Sequence, residues 1–262
     1  MLSLTEKNGE YRYPLLLHPL SRVLKFEYLK KYLNQSKGGE SVVDYGSGDR
    51  PYEQLLLKKF SRYIAADYGV TNSKHNRQPD IYIYGDRIDL ESESVNCVLL
   101  TEVLEHVYEP KNVLCEIRRI LRPGGQVIGT VPFVVPEHEE PHDYHRFTYY
   151  CLQRMFVEHE FEIVSLEYVG DNIGVFLSVL SRFFAIPVKA LQRAGLPTVS
   201  YVLNAIFKLP EVIYMGLRRA GFDPQRVSYF QQLPLGFAFC LQKPCGGKSS
   251  ISSSTSAVPP VL

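Results

Sequence analysis

Three carboxylates, each closing a short apolar run, are the residues from which the chemistry of this chain can be read. In VVDYGSGDRPY, residues 42–52, Asp44 ends the run and Gly46 and Gly48 follow, the composition of a turn whose backbone must approach a ligand closely. In YIAADY the second run ends on Asp67, at the distance of about 20 residues where an acidic side chain accepts hydrogen bonds from both hydroxyls of a ribose. Asp86 ends a third run, where it could accept from an adenine amino group. A dinucleotide turn wants a third glycine and room for a pyrophosphate at a helix N-terminus. Here Pro51 stands in the third-glycine register, and Asp44 places negative charge where phosphate would need space. A ligand with a ribose, an adenine and a positive centre but no phosphate suits this ring of acids, and S-adenosylmethionine is such a ligand.

The elements that must position these residues are legible from periodicity. Residues 20–33 carry apolar positions at helical spacing, and Gly38-Gly39 ends the pattern. A strand over 41–45, a helix over 52–60 and a strand over 63–66 follow, then a short strand at 81–84. The continuous apolar run 95–100 predicts a strand buried on both faces of a parallel sheet. Residues 111–121 place Val113, Leu114, Ile117, Ile120 and Leu121 on one helical stripe, with Pro110 at its start. Arg122-Pro123-Gly124-Gly125 is expected to stop that helix before a strand over 126–131. Further strands are expected over 161–169 and 235–242, with a long helical stretch between them. The fold class is therefore α/β: a doubly wound, Rossmann-like sheet of seven strands, with an antiparallel last strand and a helical insertion before it. Ligands of such sheets bind outside the carboxyl ends of the strands, so the loops after Asp44, Asp67, Asp86, Thr101 and Val131 should surround one site.

The segments VVDYGSGDRPY, YIAADY, YGDRIDLESESVNCVLLTEVLEHV and RRILRPGGQVIGTVP together resemble the class I S-adenosylmethionine-dependent methyltransferases of the methyltransferase-11 type, over residues 41–132. The resemblance implies a cofactor set of Asp44, Tyr45, Gly46, Ser47, Gly48, Asp67, Tyr68, Asp86, Arg87, Thr101 and Glu102. In that set the glycines admit the methionine moiety and Asp44 helps to hold its ammonium. Asp67 would bind the ribose, Asp86 and the Arg87 backbone the adenine, and Thr101 and Glu102 the methionine side. His106, in the EVLEHV helix, is read as structural rather than as a substrate contact. The chain departs from the family before its fourth strand, with Leu90-Glu91-Ser92 and Ser94-Val95-Asn96 where Leu-Pro-Phe plus an acid and Ser-Phe-Asp are usual.

The segment PFVVPEHEEPHDYHRFTYYCL, after strand five, holds His138, His142 and His145 among Glu137, Glu139, Glu140 and Asp143. It resembles a subgroup with a P-x-D-Y-x-R-[FY]-T segment, whose members are associated with surface-glycan and other secondary biosynthesis. Methyl transfer needs alignment and, for a hydroxyl acceptor, a base. Histidine, with an ordinary pKa of about 6.5, suits that task. His142 or His145 is the candidate base and Asp143 the candidate orienting carboxylate; the other reading pairs Asp143 with Arg146 to brace the loop, with Thr148 capping the next helix. A metal bound by the three histidines is weighed and not adopted, because Pro141 argues against one helix presenting all three rings.

The chain has 262 residues, 22% charged and with a net charge of +1, so no electrostatic footprint argues for nucleic acid. Five cysteines without a CxxC read as reduced thiols, with Cys97 and Cys115 expected in the core. The N-terminus lacks a signal-peptide pattern and no uninterrupted apolar stretch of about 18 residues occurs, so a cytoplasmic protein is expected. The expected organisation is a helical arm over 1–40, a methyltransferase core over 41–169 plus 221–245, a helical insertion over 170–220 and a disordered tail over 246–262. Residues 171–220 carry six basic residues against two acids amid many apolar ones. They are read as a lid over a bulky acceptor, a homodimer face, a surface resting peripherally on a membrane, or helices packed on the sheet edge. The leading function is methylation of a small-molecule, sugar or lipid-linked acceptor, at oxygen. The alternative is a catalytically inactive methyltransferase fold serving as a binding or scaffold protein.

Overall fold

The computed structural model describes residues 5–7, 10–13, 18–69, 76–222 and 233–245. The expected disordered tail lies outside the described residues. Strands β1 (Thr5–Lys7) and β2 (Glu10–Arg12) form a separate antiparallel pair. Helix α1 (Leu20–Gln35) precedes the main sheet, and α2 is a single turn (Glu53–Leu56) rather than the longer helix expected. The sheet comprises β3 (Gly39–Tyr45), β4 (Phe60–Tyr68), β5 (Ile81–Tyr84), β6 (Arg87–Ile88), β7 (Val95–Thr101), β8 (Leu121–Pro132), β9 (Glu162–Val169) and β10 (Gly236–Gln242). Helices α3 (Pro110–Ile120), α4 (Tyr149–Glu158), α5 (Asn172–Arg193) and α6 (Pro197–Arg219) complete the described elements.

The sheet has eight strands in the order β6-β5-β4-β3-β7-β8-β10-β9, not seven. The extra one is β6, which folds back antiparallel on β5 across Gly85 and is too short to leave a period-2 signal. Strands β5, β4, β3, β7 and β8 are mutually parallel, and β10 enters antiparallel between β8 and β9. From β3 the chain runs outward to β4 and β5, then returns across to β7. The crevice between the carboxyl ends of β3 and β7 is therefore the topological switch point.

Apolar side chains of α3 and α4 (Val113, Leu114, Ile117, Ile120, Leu152, Phe156) bury one face of the sheet. The other face is covered by α1 through Leu20, Val23, Leu24 and Leu29, joined by Val175 of α5 and Tyr214 and Met215 of α6. Cys97 is buried as expected, whereas Cys115 is exposed: it points away from the stripe that its neighbours on α3 bury. The LRPGG stretch does not separate helix from strand. It is taken into β8 as an irregularity, with the register against β7 slipping between Val95 and Cys97 and Gly124 at φ +78°.

Candidate active site

The glycine turn is shaped by steric exclusion. Gly46 sits at φ +77°, and a Cβ there would stand 2.4 Å from Val103 Cγ2, so only glycine lets the β3 and β7 ends close on each other. The amides of Gly46 and Ser47 both donate to the Ala66 carbonyl (2.8 and 3.0 Å), which fixes the turn against β4. Below it Asp67 accepts from the Gly48 amide (2.6 Å) through one oxygen and from the Tyr68 amide (2.8 Å) through the other. Asp44 is almost fully buried and accepts from the Tyr63 hydroxyl at 2.6 Å. Burial pushes its carboxyl up to about 7, with the Tyr63 hydrogen bond opposing and Asp67 adding to the rise. Ser47 Oγ is buried without a hydrogen-bond partner among the described residues.

Asp86, half-buried after β5, accepts from the Asn112 side chain at 2.9 Å, and Arg87 opens β6. Thr101 ends β7. Glu102 follows in a left-handed conformation (φ +55°), held by its amide donating to Thr130 O and by Thr130 Oγ1 donating to its carboxylate, both at 2.9 Å. Its other oxygen accepts from Lys25 of α1. Lys25 was invisible to sequence reasoning because it sits on a helix far upstream; Tyr63 was missed as one aromatic among many in β4. Arg50 was also missed. It locks the end of the turn by donating to Gln78 O and to Asp80 (2.8 Å), whose other oxygen accepts from the Ala65 amide.

The EVLEHV segment is not a helix but a single 3-10 turn, Leu104–His106, because the chain must drop sharply from Glu102 to the start of α3. It carries Glu105 fully into the interior, where burial, then the neighbouring Glu102, pushes its carboxyl well above the usual range. His106 Nδ1 lies 2.7 Å from the His142 carbonyl, and burial lowers its pKa.

The histidine loop does not bring its three rings together. His142 is exposed with Nδ1 3.0 Å from the Tyr144 hydroxyl, and His145 Nε2 lies 3.2 Å from the Tyr108 carbonyl. Asp143 orients neither ring. It accepts a bidentate pair from Arg146 (2.6 and 2.7 Å) and the His138 amide (3.0 Å), while Thr148 caps α4 through the Cys151 amide. The Arg146 guanidinium holds the Asp143 carboxyl down at about 2. Arg146, three residues along the same irregular loop, reaches the carboxylate as a fork, whereas the imidazoles point out toward Tyr144 and Tyr108.

Comparison with known proteins agrees with this geometry. Residues 43–129 match the family model described as a methyltransferase domain. The chain carries a class I S-adenosylmethionine-dependent methyltransferase domain. Over 128 residues the chain is 33% identical to Methyltransferase AacuQ of Aspergillus aculeatus, covering 44% of this chain and 40% of that protein. Among solved structures, a phosphoethanolamine N-methyltransferase of Haemonchus contortus with bound S-adenosyl-L-methionine superposes with TM-score 0.52 at 15% identity, over 84% of this chain and 52% of that one. The cyclase SpnF superposes with TM-score 0.53 at 14% identity, over 93% of this chain and 87% of that one. The chain spans half the length or less of the curated relatives it matches. The methyltransferase domain fits its cofactor: buried acids stand at the switch point, the buried Ser47 hydroxyl in the turn has no partner among the described residues, and Gly46 keeps the cradle open.

Proposed function

We propose that this protein transfers a methyl group from S-adenosylmethionine to an oxygen of a small-molecule, sugar or lipid-linked acceptor. The observation that carries the proposal is the set of buried carboxylates, Asp44 and Asp67, beneath a glycine turn with no third glycine. The cofactor, when bound, supplies an activated methyl on a sulfonium sulfur. The residues of the chain supply the rest. Asp67 presents carboxylate oxygens to ribose hydroxyls, Asp44 offers charge to an ammonium, and Asp86 stands at the adenine end. From the loop after β8, His142 and His145 are the groups that would take a proton from an acceptor hydroxyl, each holding one ring nitrogen on a hydrogen-bond partner. Asp143 acts behind them as the brace of the loop.

A second observation bears on the acceptor. Helices α5 and α6 expose Phe176, Phe183, Val202, Ile206 and Ile213 to solvent. By length and composition α5 is even long enough to cross a membrane, its charged positions interrupting a stretch that otherwise reads as apolar. This supports an apolar, membrane-associated acceptor met at a lipid surface.

Calorimetry tests the central reading. The protein should bind S-adenosylmethionine and not NAD, and Asp67→Ala should weaken that binding by about 10- to 100-fold, the worth of hydrogen bonds to a charged group. Alanine at His142 and His145 together should leave cofactor affinity intact while abolishing turnover. An unchanged constant in Asp67→Ala would remove Asp67 from the site. Cofactor binding by a wild type that methylates nothing in a cell extract would favour the scaffold alternative.

A further inference from the structure

Beside the cofactor crevice lies a group of side chains that the proposed methyl transfer does not use. Glu105 is fully buried, and neither of its carboxylate oxygens has a hydrogen-bond partner on another residue among those described. A buried carboxyl group whose oxygens bond to no other residue has unused capacity to hold a ligand, and such an unsatisfied group calls for an explanation. Its neighbour is His106, whose Nε2 stands 3.7 Å from Glu105 Oε1, too far for a hydrogen bond.

The tautomer of His106 sharpens the point. Its Nδ1 faces the His142 carbonyl at 2.7 Å, and a carbonyl can only accept, so Nδ1 carries the proton. Nε2 then turns a lone pair toward an acid that has no partner. His138, from the loop after β8, packs its ring edge-on against His106 with centroids 4.7 Å apart. Its Nδ1 is held by the Pro136 carbonyl at 3.1 Å, which leaves its Nε2 lone pair free as well. Donation of one ring N–H to a backbone carbonyl is how proteins orient a histidine to ligate a metal through its other nitrogen.

One ligand atom from each of Glu105, His106 and His138 lies within 4.8 Å of the others. Two ligands held at about 2.1 Å from a tetrahedral ion stand roughly 3.4 Å apart, so closure on an ion needs only a small contraction of the half-exposed His138 side. We infer that Glu105, His106 and His138 form a binding site for a divalent transition-metal ion, with two imidazoles, one carboxylate and at least one open position. Two nitrogens and one oxygen suit Zn2+, Fe2+ or Co2+ and not Mg2+ or Ca2+, which take oxygen ligands. Asp143 stands behind, 3.3 Å from His138 Nδ1, and accepts from the His138 backbone amide at 3.0 Å, which fixes the chain beneath the ring.

The test does not depend on methyl transfer. Tag-free protein, stripped with chelator, is titrated with Zn2+ by calorimetry and with Co2+ by visible absorption. The expected result is one saturable site, and Co2+ bands of a low-coordinate nitrogen and oxygen environment. His138→Ala, whose ring is partly exposed, should fold normally. It should weaken Zn2+ binding by more than the roughly 10- to 100-fold that loss of an orienting partner costs. His106→Ala and Glu105→Gln should do the same, with circular dichroism confirming that each is folded. His142→Ala, which keeps the backbone carbonyl that holds His106, should bind as wild type does. No saturable binding by wild type, or a loss in His142→Ala that His138→Ala does not show, overturns the inference. S-adenosylmethionine binding by the same preparations reports separately on the cofactor site.

Discussion

At the scale of single residues, the site is governed by how burial tunes carboxylates that share one crevice. Asp44 illustrates this. With its carboxyl pushed up to about 7 in the folded chain and near 3.8 when unfolded, the folded state holds the proton more tightly. Between about pH 4 and pH 7 the unfolded chain releases that proton and the folded chain keeps it, so Asp44 lowers stability as pH rises through this window and adds nothing further above it. A cationic ammonium reverses the preference, because it pairs with the ionised form. Affinity for S-adenosylmethionine should therefore rise with pH, by up to about tenfold per unit below pH 7, and level off by pH 7.5. Calorimetry from pH 5.5 to 7.5 measures this. Asp44→Asn should bind weakly with a flat profile, and a flat wild-type profile would remove the ammonium from Asp44.

At the scale of elements, the loop after β8 and the turn after β7 are the parts that sequence patterning described least well. The strand ends and the glycine turn at the switch point were legible because glycines, strand ends and acids recur at fixed offsets along one chain segment. The EVLEHV stretch has a helical composition, yet tertiary geometry compresses it into one 3-10 turn. Only that turn brings Glu105 and His106 up to His138, thirty-odd positions later, and no local pattern records such a meeting. Lys25 on Glu102 was hidden in the same way. Asp143 was visible as chemistry but not as architecture. Its side chain is nearly buried and its partner is Arg146, which makes the loop an ion-pair brace. Arg146→Ala should strand that carboxylate and cost about 3 kcal/mol of stability, read by urea unfolding. The double variant Asp143→Ala/Arg146→Ala should lose less than the single one. Equal losses would show that the pair contributes packing and not charge compensation.

At the scale of the whole molecule, the helical hairpin α5–α6 is the element that bears on a membrane-surface acceptor. It is anchored at its base, where Asp171 caps α5 and accepts from Tyr214 (2.6 Å) and Arg218 (3.0 Å) of α6. Strand β9, which feeds it, ends at the same edge of the sheet as β8, so the hairpin leaves from the side of the molecule that holds the site. With 22 residues α5 extends about 33 Å from there. The two helices zip together through Phe184 stacked on Phe207 at 4.1 Å and Ser200 bonded to the Val188 carbonyl, while Phe176 and Phe183 stay outside. The acids of the insertion, Asp171 and Glu211, are both buried, whereas Lys189 and Arg193 are exposed. An apolar outer face whose solvent-facing charge is positive matches an anionic lipid surface. The protein should sediment with vesicles containing phosphatidylglycerol more strongly than with phosphatidylcholine alone, and less so in high salt. Each phenylalanine buried in lipid contributes about 1.5 kcal/mol or more, so Phe176→Asp with Phe183→Asp should reduce partitioning by about 100-fold or more. Phe183 also packs edge-on against Phe184 at 5.7 Å, so the melting temperature should hold in Phe176→Asp and fall modestly in Phe183→Asp. Wild-type protein that ignores anionic vesicles, or a double variant that only converts a dimer to a monomer, would assign this face to a second copy of the chain instead of a membrane.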